Sequence, residues 1–175
     1  LNEVFRQRGI PVEVLPGAEV YALTDPALLA DRTLNATPYI LIEFPLTHLP
    51  AEAARALFNL RVHGFRPIIA HPERIPSVIA RPQLLEELLT GQVYVQLTAG
   101  SLTGSFGPGP EKCGRCRLKK GLVHFLGSDG HGAKSRRPVL SRGLSIAEKL
   151  LGRAAARRLL LDNPQVVLAG AVLDY

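Results

Sequence analysis

Pro67-Ile68-Ile69-Ala70-His71-Pro72-Glu73-Arg74 runs from an apolar segment straight into a histidine, an acid and an arginine. Its short apolar run reads as a buried strand, because Ile and its neighbours pack well on a pleated surface. The strand ends at His71: the residue before a proline is steered away from the helical region, and Pro72 has no N–H with which to extend a ladder. A histidine, an acid and an arginine therefore follow directly on a strand end, which is where functional side chains collect in parallel α/β architectures.

Similar runs recur on both sides of it. Pro11 to Leu15, followed by the Pro16-Gly17 turn, reads as a first strand, and Tyr39 to Ile42, ended by Phe44-Pro45, as a second. With Pro67 to Ala70 as the third, Val93 to Leu97 is the fourth and Leu122 to Leu126 the fifth. Their starts are about 25 to 30 residues apart, the length of a βα unit. Helical composition fills the gaps: Ala51 to Leu60 stopped at Gly64, Pro82 to Leu89 closed by Gly91, and Leu144 to Leu161 broken at Gly152. Asp162-Asn163-Pro164 opens a last short helix, and Thr98 to Pro110 is the longest irregular stretch. The alternation predicts an α/β fold, a mostly parallel sheet or barrel with right-handed crossovers, in one domain over residues 1–175.

The bulk properties narrow the function classes. The chain has 175 residues, 46% hydrophobic and 21% charged, which is the composition of one globular domain rather than of disorder. No apolar run reaches the roughly 18 residues of a membrane helix, and Leu1 to Arg8 reads as an amphipathic helix rather than a secretory signal. A soluble, cytoplasmic chain is the expectation, with no membrane insertion. A net charge of +6 suits an anionic substrate or partner, and equally an arginine-rich surface without one. The basic residues lack interleaved aromatics, which weighs against nucleic acid. The two cysteines, Cys113 and Cys116, are half of a zinc site at best; with no second pair of ligands they read as an exposed helix face without a catalytic role.

Metal-ligand residue types fall repeatedly after the strands: Glu19 after the first, Glu43 after the second, His71 after the third, and Asp129 and His131 after the fifth. A mixed set of imidazole and carboxylate donors suits Zn, Mn or Fe, and such a centre activates water for attack on a phosphate ester. Each residue also has a bland reading. Glu19 and Glu43 fit solvated loop carboxylates, His71 a strand cap, and Asp129-Gly130-His131 a turn. His48, His63 and His124 read as structural. Arg74, Arg136 and Arg137 adjoin two of the ligand segments, and a guanidinium fork matches phosphate oxygens bidentately. The Gly-rich Thr98 to Gly107 segment offers backbone amides to a phosphate but matches no P-loop.

Taken in order, the motifs Leu15-Pro16-Gly17-Ala18-Glu19-Val20, Ile40-Leu41-Ile42-Glu43-Phe44-Pro45, Ile69-Ala70-His71-Pro72-Glu73-Arg74, Gln96 to Gly104, Ser128-Asp129-Gly130-His131 and Asp162-Asn163-Pro164 resemble a family. It is the bacterial capsule-type tyrosine-protein phosphatases of the polymerase and histidinol phosphatase (PHP) superfamily. The resemblance implies a distorted (β/α)7 barrel with up to three divalent metal ions (Mn, Fe or Zn). It implies hydrolysis of phosphotyrosine on the tail of an autophosphorylating kinase that controls capsule or exopolysaccharide synthesis. By motif match Glu19, Glu43, His71, Asp129 and His131 would be metal ligands. Arg74 and Arg136 would bind substrate phosphate, with Arg137 as the alternative to Arg136. Members of the family open with a His-x-His strand that this sequence does not contain. Together with the absence of Met, this gives the expectation of an N-terminally truncated chain and an incomplete barrel. Exposed sheet edges would then make an oligomer possible. The alternatives are another PHP phosphoesterase, such as a histidinol phosphatase, or an inactive remnant acting as a binding module.

Overall fold

The computed structural model describes residues 1–174. Helix α1 (Asn2–Gln7) leads through an extended segment to β1 (Glu19–Tyr21), and β2 (Tyr39–Glu43) follows without an intervening α-helix. Then come α2 (Ala53–Val62), β3 (Arg66–Ala70), α3 (Pro76–Ala80), α4 (Gln83–Glu86) and β4 (Tyr94–Thr98). The chain continues through α5 (Ala99–Leu102), α6 (Pro108–Lys119) and β5 (Phe125–Gly127) to α7 (Ser141–Leu151), α8 (Arg153–Arg157) and α9 (Asn163–Leu168).

All five strands are parallel, in the order β1-β2-β3-β4-β5. Each crossover advances by one strand in the same direction. That winding puts the connecting helices on one face, as in a barrel wall, and not on both faces as in a doubly wound sheet. The helix-covered face carries Ile40, Ile42, Ile69, Val95, Leu97 and Leu126, packed with Leu57 and Leu60 of α2, Val78 of α3, Leu85 of α4 and Leu118 of α6. The opposite face carries Tyr39, Ile68, Tyr94 and Phe125, covered at one end by Val167 of α9 and by Leu173. Strand periodicity explains the partition: alternate residues point to opposite faces, and strands buried on both faces read as continuous apolar runs.

The buried tyrosines satisfy their hydroxyls at the C-terminal segment. Tyr39 donates to the Ala171 carbonyl at 2.8 Å and accepts from the Leu173 N–H at 3.0 Å, while Tyr94 donates to the Leu173 carbonyl at 3.1 Å. Gly143 of α7 lies where α7 crosses α5. A Cβ there would stand 2.7 Å from the Ala99 Cβ and 3.0 Å from its Cα, so the two helices approach at a distance only glycine permits.

Several expectations need correction. Residues 11–15 form no strand; the first strand is Glu19–Tyr21. The Val14 N–H and C=O are both taken by the Asn2 side-chain amide at 2.8 Å, and Pro11 and Pro16 flank the run. The fifth strand is confined to Phe125–Gly127, and the helix expected over Pro82 to Leu89 shrinks to Gln83–Glu86. Thr98 to Pro110 is not irregular throughout, since α5 and the start of α6 occupy much of it. The long C-terminal helical pattern is interrupted at Gly152, as expected, where φ is 84°. The cysteine pair does lie on a helix, but only Cys116 is exposed; Cys113 is buried. Among the described residues no helix is long and apolar enough to cross a membrane.

Candidate functional site

Strand register builds the first part of the site. Glu43 is the last residue of β2, while Glu19 opens β1 opposite Leu41, so the two acids lie on adjacent parallel strands two residues out of step. His71 follows β3 and is anchored by its N–H, which donates to the Gln96 carbonyl of β4 at 2.9 Å. Its Nε2 lies 2.9 Å from Glu19 Oε1 and 3.7 Å from Glu43 Oε2. One donor atom from each of the three lies within 4.8 Å of the others, the one such cluster of three or more among the described residues. The imidazole is buried while both carboxylates are partly open to solvent. Burial pulls the His71 pKa down, but the hydrogen bond to Glu19 and its negative charge outweigh it, so the group is held above its ordinary value.

The donor set fits a divalent cation. One imidazole nitrogen and two carboxylates are the mixed ligand chemistry of Zn, Mn or Fe, and three nearby donors leave coordination positions open for water and substrate. His71 adopts φ 37°, ψ 43°, the left-handed region that non-glycine residues rarely enter. Among the described residues five non-glycine positions have positive φ, and three of them are His71, Asp129 and Arg136. Local strain of this kind costs roughly 1–3 kcal/mol and persists where the surrounding structure fixes a side chain for use.

The second part of the site lies beyond β4 and β5. The Asp129 carboxylate, its side chain almost fully buried, receives Arg74 Nη1 at 2.8 Å and also Arg136 Nη2 on the same oxygen. Arg74 lies with its guanidinium carbon 4.2 Å from the centre of the Phe106 ring, a stacked cation–π arrangement. His131 is exposed and donates from Nδ1 to the Asp129 carbonyl at 2.9 Å. Asp129, Arg136 and Arg137 line a cleft of about 650 Å³, together with Phe106, Lys134 and Arg142. Four cations and one carboxylate there make a strongly positive lining.

The structure therefore brings Glu19, Glu43 and His71 into one cluster and gathers Arg74, Asp129 and Arg136 into a second. Asp129 and His131 do not join the three-residue donor cluster; the Asp129 carboxylate is engaged by guanidinium groups instead. Arg137 lines the cleft without an ion pair among the described residues. Within the Gly-rich segment the N–H groups of Thr103, Gly104, Ser105 and Gly107 donate to Gly100, Ser101 or Gly104 carbonyls, so these four are not open to a phosphate. His63 donates to the Asn59 carbonyl at a helix end, and His48 contacts Thr47 Oγ1. His124 is buried, with Nδ1 accepting the Val95 N–H at 3.0 Å. Sequence reasoning missed Phe106, Lys134 and Arg142, since nothing in their spacing signals convergence. It also passed over Glu73, whose side chain is fully buried.

Residues 1–169 match the family model described as capsular polysaccharide synthesis, CpsB/CapC. The chain is 35% identical over 172 residues to the tyrosine-protein phosphatase YwqE of Bacillus subtilis (strain 168), covering 96% of this chain and 67% of that protein. It is 27% identical over 177 residues to the tyrosine-protein phosphatase CpsB of Streptococcus pneumoniae, covering 96% and 73%. Its structure superposes with a TM-score of 0.90 and 32% identity on a chain from the crystal structures of YwqE from Bacillus subtilis and CpsB from Streptococcus pneumoniae, described as unique metal-dependent tyrosine phosphatases. That match covers 99% of this chain and 71% of the other. The chain thus spans roughly half to three quarters of the length of the relatives it matches.

Proposed function

The chain belongs to the family described as capsular polysaccharide synthesis, CpsB/CapC, and from that premise we propose that it carries the chemistry of a metal-dependent protein-tyrosine phosphatase. The substrate is phosphotyrosine on the tail of an autophosphorylating kinase that controls capsular or exopolysaccharide synthesis. The five parallel strands, wound in one direction, are the corresponding part of a distorted (β/α)7 barrel.

The observation that carries this reading is the convergence of Glu19 at the start of β1, Glu43 at the end of β2 and His71 just after β3. These residues would hold a divalent metal, Mn, Fe or Zn, which would supply Lewis acidity and an activated water for displacement at phosphorus. Asp129 and His131, outside that cluster, would join a centre of up to three ions once the Asp129 carboxylate exchanged its guanidinium partners for metal. Arg74 binds the phosphate; its fork is already preorganised by Phe106 and Asp129, which limits the side-chain entropy lost on binding. Arg136, or Arg137 beside it, contributes the second guanidinium. As charge builds on the phosphoryl oxygens, these fixed cations stabilise it in place of bulk water. Phe106 and the positive cleft suit an aromatic phosphoester on an acidic peptide, and the attraction weakens with added salt.

The test is release of phosphate from a phosphotyrosyl peptide by the protein loaded with Mn2+. Turnover that is abolished by EDTA, restored by Mn2+ and lost in His71→Ala supports the reading. Turnover that survives exhaustive chelation contradicts it.

A further inference from the structure

Among the described residues Glu73 is the one carboxylate that is buried, with no exposed surface. It sits between His71 and Arg74 in the single turn Pro72–Arg74 that follows β3. Its Oε1 accepts two hydrogen bonds, from the Thr98 N–H at 3.1 Å and from the Ser101 hydroxyl at 2.6 Å. Both donors belong to the next unit, at the junction of β4 and α5. That unit runs on directly into the turn bearing Phe106, against whose ring Arg74 lies. The carboxylate therefore ties the turn that carries Arg74 to the segment that carries the platform for its guanidinium.

We propose that Glu73 is the positioning residue for Arg74, locking its turn onto the Thr98–Ser101 segment so that the guanidinium is held ready for phosphate. The inference rests on the phosphatase reading, in which Arg74 binds phosphate. Burying a carboxyl is expensive, and an apolar residue would fill the same space at lower cost. Retaining an acid there is explained by its two convergent acceptor bonds, which set the register between neighbouring loops. Removing it also leaves the Thr98 N–H and the Ser101 hydroxyl buried without their acceptor. Among the described residues Oε2 has no hydrogen-bond partner, so a glutamine keeps the essential Oε1 contacts without displacing another bond.

Inorganic phosphate binding to the Mn2+-loaded protein, measured by titration calorimetry, tests this. Arg74→Ala is expected to lose most of the affinity. Glu73→Ala weakens it about tenfold and Ser101→Ala about threefold, the scale of losing a positioned charge-assisted hydrogen bond. Glu73→Gln stays within about twofold of wild type because the amide oxygen accepts both bonds. Melting temperature is measured alongside; a purely structural role would lower it without changing phosphate affinity in the folded protein. Should Glu73→Ala fail to fold, Ser101→Ala carries the test. Wild-type phosphate affinity in Glu73→Ala or, where that variant does not fold, in Ser101→Ala, with Arg74→Ala defective, overturns the positioning role. Wild-type affinity in Arg74→Ala overturns instead the assignment of Arg74 to phosphate, and the positioning role with it.

Discussion

His124→Asn should flatten the acid limb of the stability profile. The imidazole is buried just before β5, with Nδ1 accepting the Val95 N–H and the ring edge-on to Tyr94 at 5.3 Å. Burial lowers its pKa from 6.5 to about 4. The native state therefore keeps the ring neutral where the unfolded chain protonates it. Between those values the unfolded state binds more protons, so stability rises with pH and is lost as pH falls from 6.5 towards 4. The full loss is the shift of about 2.5 units times about 1.4 kcal/mol per unit, about 3.5 kcal/mol. Between pH 7.5 and pH 5 it amounts to about 2 kcal/mol, or roughly 4–8 °C in Tm for a domain of this size. Asparagine places a neutral carbonyl acceptor where Nδ1 lies and cannot be protonated in this range. His71 and Glu73 both have raised pKa values and so work in the opposite sense on acidification, but they are common to both proteins and cancel in the comparison. Urea unfolding of wild type and variant at matched pH measures the difference. An acid slope identical in the two proteins refutes the assignment of a neutral buried imidazole.

Two further outcomes follow from packing. Gly143→Val drives a branched side chain into Ala99 at the α5–α7 crossing and should cost about 2–3 kcal/mol by overpacking, read from a lowered urea midpoint at unchanged m-value. In the native protein a thiol reagent should label Cys116 rapidly and Cys113 only on unfolding, because burial both shields the Cys113 thiol and raises its pKa; equal labelling rates would contradict the helix orientation of α6.

Much of the architecture was legible because it rests on periodicity. The continuous apolar runs at Tyr39, Pro67 and Val93 announce strands buried on both faces, and the glycines at 64 and 152 stop helices where the backbone turns to positive φ. Pro11 to Leu15 misled because its alternating composition mimics a strand. Nothing local reveals that Asn2 would take Val14's backbone groups. The candidate site was legible where donors sit at strand ends, as at Glu43 and His71. Glu19 was found for its place after an expected strand, although it opens the observed one. Phe106 and Glu73 were not legible, because their roles come from contacts across neighbouring βα units. A carboxylate between Pro72 and Arg74 looks like any loop acid until Ser101 is seen donating to it.

Glu19, Glu43 and His71 would together hold a divalent metal. Mn2+ binding followed by electron paramagnetic resonance, with Tm recorded in parallel, tests this directly. Wild type is expected to bind Mn2+ and be stabilised by it, while His71→Ala and the Glu19→Gln/Glu43→Gln double variant lose both effects. Mn2+ binding and stabilisation in those variants equal to wild type would contradict the assignment.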